Sequence, residues 1–439
     1  MKKVGFFLFA ILMLSCEKQN LPDDLVTEAT LTQTFGGSLN EIAQAVIATQ
    51  DGGFAVLGHV QSNDGDVTDK MDETFNFWLL KFDAQAQLQW NKTYGGSGDD
   101  RGRSLIQTQD GGFALLGYST SSDGDVSINN GSRDFWLVKT DAQGNLMWER
   151  SYGYSGADEG THIIETSDSH LLVSGVLDVS ASGGQGNVGR NANRHAGGDY
   201  WMLKVTQTGN LVWSRFFGGS FTDTPNGIVE NSNGEIIIAG SSDSNDVDIT
   251  NNKGSYDFWV VKAGSNGNMV WQQSYGGSEI DEARGIVNSG DGNYILVGDT
   301  RSSDQDVSLN NGAADVWIAK ISESGTMLWE QSIGGSNFDV PRSVKNTLDG
   351  GFLIAGSSRS SDGVLNLNQG QNDAWVLKVN SNGQWVWGET FGGSEIDFGY
   401  DAVELANGSV ILVGETSSSN GDISENKGFT DLLVIKLNR

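Results

Sequence analysis

The sequence predicts an all-β chain, a seven-bladed β-propeller of four-stranded antiparallel blades, and three observations carry that prediction. One motif recurs from end to end, its first glycine falling at Gly36, Gly95, Gly153, Gly218, Gly276, Gly334 and Gly392. The spacings are 59, 58, 65, 58, 58 and 58 residues, and a fixed period of that size marks a repeat architecture. Each period holds four short apolar runs separated by turn residues, and no helical period competes with them. Gly supplies 60 of 439 residues and Pro only 3, which suits a chain that turns about every ten residues without helices.

Residues 95–152 show the unit most clearly. Its strands are predicted over 104–108, 112–118, 134–139 and 145–152, each rich in β-branched and aromatic residues and bounded by Gly, Asp, Asn and Ser. The first two join through Asp110-Gly111, a pair that permits the positive φ of a tight hairpin. Gly144 marks the turn between the last two. At the N-terminal side, ATLTQTFGG (29–37) aligns with the fourth strand of the unit, while the chain stops after DLLVIKLN (431–438), which aligns with the third. The last blade therefore lacks a fourth strand and the N-terminal segment supplies a spare. Closing the ring this way leaves no open edge between first and last blades.

The division expected is 1–16 leader, 17–28 polar tether and 29–439 propeller. Lys2 and Lys3 precede an apolar run over 4–14, too short to span a bilayer, that ends in Leu14-Ser15-Cys16. This resembles a bacterial lipoprotein signal, with Met13 where the pattern prefers Leu. The resemblance implies acylation of Cys16, the only cysteine, and a lipid anchor in the cell envelope at the outer membrane. With one cysteine no internal disulfide can form.

The formal charge is −29; removing Lys2 and Lys3 leaves 25 basic against 56 acidic residues. Such a surface repels nucleic acid and anionic lipid, so neither is expected as a partner, and contact with membrane is expected only through the anchor. A monomer is expected. The acids are patterned. One opens each repeat (Glu41, Asp100, Asp158, Asp223, Asp281, Asp339, Asp397), and others fill DGD-like runs such as Asp123 and Asp125. A further acid or amide opens each third strand, as Asp134 does, and a Lys follows five residues on, as at Lys139. The acids are thus expected on one face and these lysines toward the other.

Asp residues in Gly-Ser turns ordinarily accept backbone N–H groups of their own turn. The sharper alternative is Ca²⁺ at Asp123, Asp125 and Asp134, because clustered carboxylates and carbonyls supply the oxygens calcium needs. The run DGDVSINNG resembles a calcium loop, although Ile128 stands where an EF-hand requires Gly. Calcium is the one cofactor these residues suggest. Recurrent Trp residues at fixed strand positions are read as inter-blade packing. The third repeat departs most: its long loop places Arg190, Asn191, Asn193, Arg194 and His195 together. A basic cluster on an acidic face is the candidate contact for a glycan or envelope protein.

The motifs GGSxxD, DGGFxxxG, DGDV, DFWLVK and NGxxxW resemble those of repeats in exported lipoproteins of Bacteroidota-type bacteria, over residues 29–439. That resemblance implies a propeller and carries no activity with it. No nucleophile elbow, zinc spacing or phosphate loop is present. The expected function is a non-enzymatic binding or scaffold propeller, the alternative a carbohydrate-active one, lectin-like or hydrolytic.

Overall fold

A computed structural model describes residues 29–182, 195–365 and 368–438. Its strands form seven four-stranded sheets, each a meander of consecutive antiparallel strands apart from the last. In that sheet Ala29–Phe35 lies beside Asp431–Leu437, with Phe35 opposite Leu432 and Thr32 opposite Ile435. The N-terminal strand completes the seventh blade, as its sequence pattern predicts. A four-residue helix, Val179–Ser182, follows the second strand of blade three. Among the described residues no helix is long and apolar enough to cross a membrane.

The second and third strands of a blade, Phe113–Ser119 and Asp134–Thr140 in blade two, are buried along their whole length. Each is pressed between neighbouring blades on both faces, so its apolar residues run almost without alternation. Phe77 of blade one meets Trp136 of blade two at 4.7 Å, and Phe135 meets Trp201 of blade three at the same distance. Tyr200 meets Trp259 at 4.5 Å and Phe258 meets Trp317 at 4.6 Å. These tilted and edge-on contacts are the favoured geometry of aromatic pairs. Indole N–H groups are satisfied within their own blades at Trp136, by Glu149 at 2.9 Å, and at Trp259, by Gln272 at 3.0 Å, whereas that of Trp375 has no partner among the described residues. Packing therefore accounts for the recurrent tryptophans.

The second series of tryptophans, on the fourth strands, covers turn glycines of the following blade. Gly144 has φ +77°, and a Cβ there would come within 2.8 Å of the Trp90 ring. Both the left-handed backbone and the contact demand glycine. Gly144→Ala should lower stability by about 1–2 kcal/mol, read as a shift in the urea midpoint; an unchanged midpoint would show that the ring gives way freely.

The lysines of the third strands lie at the far face, buried along their stems, and pair with acids of the first hairpin. Lys81 reaches Asp51 at 2.8 Å, Lys139 reaches Asp110 at 3.0 Å and Lys320 reaches Asp291 at 2.7 Å. Together with hydrogen bonds from Thr49 and Gly53, Lys81 holds the Asp51 carboxyl down at about 2 despite its partial burial. The far face is therefore not the cationic one expected, because acids of the first hairpins lie on it and neutralise these lysines locally.

First strands depart from the sequence reading. In blade two the strand is Asp100–Gln107 rather than 104–108, because the polar stretch DDRGR also pairs with its neighbour. First strands of adjacent blades touch all the way round, so they enclose the central axis. A strand facing a watered channel has no reason to be apolar, and so its beginning carries no hydrophobic signal.

Candidate functional site

The acids of the upper face are occupied by the backbone. The acid that opens each repeat begins the first strand or immediately precedes it, and it is fully buried. Its side chain accepts the N–H four residues back in all seven blades, at 2.6–2.9 Å. Hydroxyls of the second strand and its loop add to this, as Ser121 does for Asp100 at 2.9 Å and Ser302 for Asp281 at 2.9 Å. Asp123 accepts Ser97 N–H at 2.8 Å and Asp125 accepts Gly95 N–H at 3.1 Å. The same pairings recur at Asp304 and Asp306 with Ser278 and Gly276.

Asp134 lies at the next junction. It accepts Asn130 N–H at 2.7 Å, and a Cβ on Gly153 would meet its Oδ1 at 2.1 Å. Asp123 and Asp125 face Gly95–Ser97, whereas Asp134 faces Gly153, so the three do not converge. Among the described residues no group of three or more His, Cys, Asp or Glu side chains is placed to hold a metal. Calcium wants six to eight oxygens, and each of these carboxylates already caps a turn. The donor set does not fit calcium.

At several junctions two buried carboxyls approach one glycine. A Cβ on Gly276 would meet Asp257 Oδ1 at 2.4 Å and Asp281 Oδ2 at 2.7 Å. Burial, with the neighbouring Asp281 adding to it, pushes Asp257 up to about 7. Burial likewise raises Asp223 to about 8, with Asp199 contributing, and Asp158 to about 6, with Asp134 contributing. Among the described residues Asp257 Oδ1 has no hydrogen-bond partner, and protonation would remove its buried charge.

Of the basic cluster expected on the long loop, Arg190, Asn191, Asn193 and Arg194 lie outside the described residues, as does Cys16 with the leader and tether. His195 is described and buried, its Nδ1 2.6 Å from Asp199 Oδ2. In blades two, four, five, six and seven a backbone N–H occupies that place, four residues before the acid. His195 thus substitutes for a backbone donor in blade three.

The site that sequence reading missed lies on the axis. Every first strand carries a β-bulge against its second strand, and the extra residues are Gln44, Arg103, Thr161, Asn226, Arg284, Arg342 and Tyr400. A bulge leaves one residue outside the ladder and re-aims its side chain. Here seven such residues stand at one level of the ring. Arg103 donates to Gln44 at 3.0 Å, and Asn226 donates to the Ala283 carbonyl at 2.9 Å. Arg284 is paired with Glu282 at 2.7 Å and Asp299 at 2.9 Å. Tyr400 donates to Glu415 at 2.9 Å, and its neighbours include Arg342 of blade six and Arg103 of blade two.

Further from the acidic face the channel narrows. Lys345 of blade six reaches the Val46 carbonyl of blade one at 3.0 Å and Asp401 of blade seven at 2.9 Å. Asp401 also accepts Val46 N–H at 2.9 Å. His162 of blade three is near enough to feel both charges, and burial drives its pKa down to about 4. The arrangement is a funnel: a polar ring with three arginines, above a crossing of Lys345 and Asp401. The one signal in the sequence was that this repeat position never settles on a residue type.

No family model matches the chain. It is 24% identical over 386 residues to the regulatory protein FlaEY of Caulobacter vibrioides, covering 76% of this chain and 38% of that protein. The chain thus spans under two-fifths of that relative's length. Similar solved structures include Sqt1 from Chaetomium thermophilum, 11% identical with TM-score 0.45, covering 88% of this chain and 83% of that one. The PQQ-bound aldose sugar dehydrogenase of Streptomyces coelicolor is 12% identical with TM-score 0.40, covering 94% and 98%. A protein of unknown function from Bacteroides caccae is 11% identical with TM-score 0.42, covering 74% and 94%. No activity is taken from these likenesses.

Proposed function

We propose that this chain is a non-enzymatic binding propeller, lipid-anchored through Cys16 in the cell envelope, whose ligand enters the axial funnel from the acidic-loop face. One observation carries the reading. Residues that repeat in all blades are accounted for by turns, caps and packing, whereas the bulge ring holds five residue types in seven blades, Arg in three of them. A position with the same work in each blade keeps its residue type; a position that varies around one ring can fit one asymmetric ligand. The ring is also polar, and small-molecule sites use a few placed polar groups to fix a ligand.

An array of glycans and small organic acids probed with the purified full chain tests this. Asn226→Trp fills the ring from blade four and removes only one hydrogen bond to a neighbour, that to Ala283. Any ligand the wild type captures should be lost in this variant while its melting temperature stays within a few degrees. Capture undiminished by Asn226→Trp would place binding elsewhere.

A further inference from the structure

Resting on that reading, we propose that Arg103, Arg284 and Arg342 form an oxyanion site in the funnel, for a small ligand bearing carboxylate, sulfate or phosphate groups. Acidic residues outnumber basic ones 56 to 27, so three arginines collected at one level of the axis stand against the balance of the chain. Of the three, Arg284 is held by acids. Arg103 has only the amide of Gln44 and the distant ring of Tyr118.

Among the described residues Arg342 has no hydrogen bond, ion pair or ring contact. Its side chain is exposed on the axis, and another cation, Arg284, is among its neighbours. Burial and the neighbouring Arg284 guanidinium lower its pKa. Leaving a partly desolvated cation beside another is costly, and an anion that bridges them removes the cost.

The nearby acids are already engaged. Asp299 and Glu282 hold Arg284, and Glu415 accepts the Tyr400 hydroxyl with its own carboxyl raised by burial. None of them hydrogen-bonds Arg342, although Asp299, Glu282 and Glu415 lie near enough to favour its charge. Guanidinium groups bind oxyanions bidentately through a planar fork, and bulged strands from blades two, five and six bring three of them to one level. Gln44 and Asn226 add neutral hydrogen-bonding groups at that level, giving an anion's remaining oxygens and hydroxyls their partners. The acidic outer rim selects against large polyanions, which it would repel, and so favours a small ligand.

Calorimetric titration of the purified full chain with sulfate, phosphate, acetate and citrate at low ionic strength tests the site. At least one should bind with a single-site isotherm, and the order among them separates a carboxylate site from a sulfate or phosphate site. Arg342→Gln should weaken that binding at least tenfold, Arg342→Lys less, and Arg150→Gln, on an outer strand of blade two, not at all. Without anion, Arg342→Gln should melt at the same temperature as wild type or higher, because it removes a repelled cation. If none of the four anions binds at millimolar concentration, or Arg342→Gln binds as tightly as wild type, the site is refuted. A fall in the anion-free melting temperature would equally refute it, by revealing a structural partner for Arg342. Should Asn226→Trp abolish ligand capture while Arg342→Gln leaves it intact, the funnel reading stands and the oxyanion site alone falls.

Discussion

Removing the N-terminal strand, residues 29–37, should destabilise the propeller by about 4 kcal/mol or more, whereas removing 17–26 should change little. Ala29–Phe35 supplies the outer neighbour of Asp431–Leu437. Without it that strand keeps one unpaired edge and loses a packed side chain, Phe35, whose ring lies 5.2 Å from that of Phe82 in blade one. The loss thus reaches the junction between the seventh and first blades as well as the seventh blade itself. Some closure survives, because Asp401 still accepts Val46 N–H and Lys345 still bridges to blade one. The truncated protein should therefore fold, melt lower and associate through its exposed edge. Urea unfolding of both deletions, with sedimentation to follow association, checks this. Equal midpoints for the two would mean that the closing strand contributes nothing.

Stability should also rise as pH falls from 8.5 to 6.5, by on the order of 2–3 kcal/mol. Asp223, Asp257, Asp158 and Asp373 are raised to about 8, 7, 6 and 6, burial being the first cause in each. A carboxyl with a raised folded-state pKa holds its proton more tightly in the native state. Its contribution is fully present below the unfolded value near 4 and is lost as pH rises through the folded value. Most of the change between 6.5 and 8.5 therefore comes from Asp223 and Asp257.

Two histidines act in the opposite sense at lower pH. His162 is lowered to about 4, and burial with Arg103 and Arg101 nearby lowers His59 as well. Both cost stability once pH drops below about 6.5, where the unfolded chain takes up their protons. Asp51, Asp168 and Asp349, held near 2 chiefly by lysines and local hydrogen bonds, matter only in stronger acid. The optimum should fall near pH 6. Asp223→Asn keeps an acceptor for Gly219 N–H and cannot ionise, so it should remove most of the slope above pH 6.5. A wild type whose urea midpoint is flat across that range would show that the junction carboxyls stay ionised.

How much was legible in the sequence differs from element to element. Strands such as Phe113–Ser119 and Asp134–Thr140 announced themselves, because burial on both faces requires continuous apolar runs. The role of Asp100 in capping its own turn was also readable, since an Asx cap is a local interaction over four residues. The start of each first strand was not, because side chains around a watered axis need not be apolar. Nor was the separation of Asp134 from Asp123 and Asp125. They lie close in sequence, but the third strand and the preceding loop serve opposite junctions of the same blade.

The sequence alone determined the period, the four strands per period, the blade number and the displaced strand that closes the ring. Each of these rests on spacing and on contacts within a blade or between consecutive blades. Only the tertiary structure decided that Gln44, Arg103, Thr161, Asn226, Arg284, Arg342 and Tyr400 form one ring. Arg103 and Arg342 are 239 positions apart, and it is the closure of seven blades about an axis that makes them neighbours of one tyrosine. A repeat hides such a site because each copy carries a single unremarkable member of it.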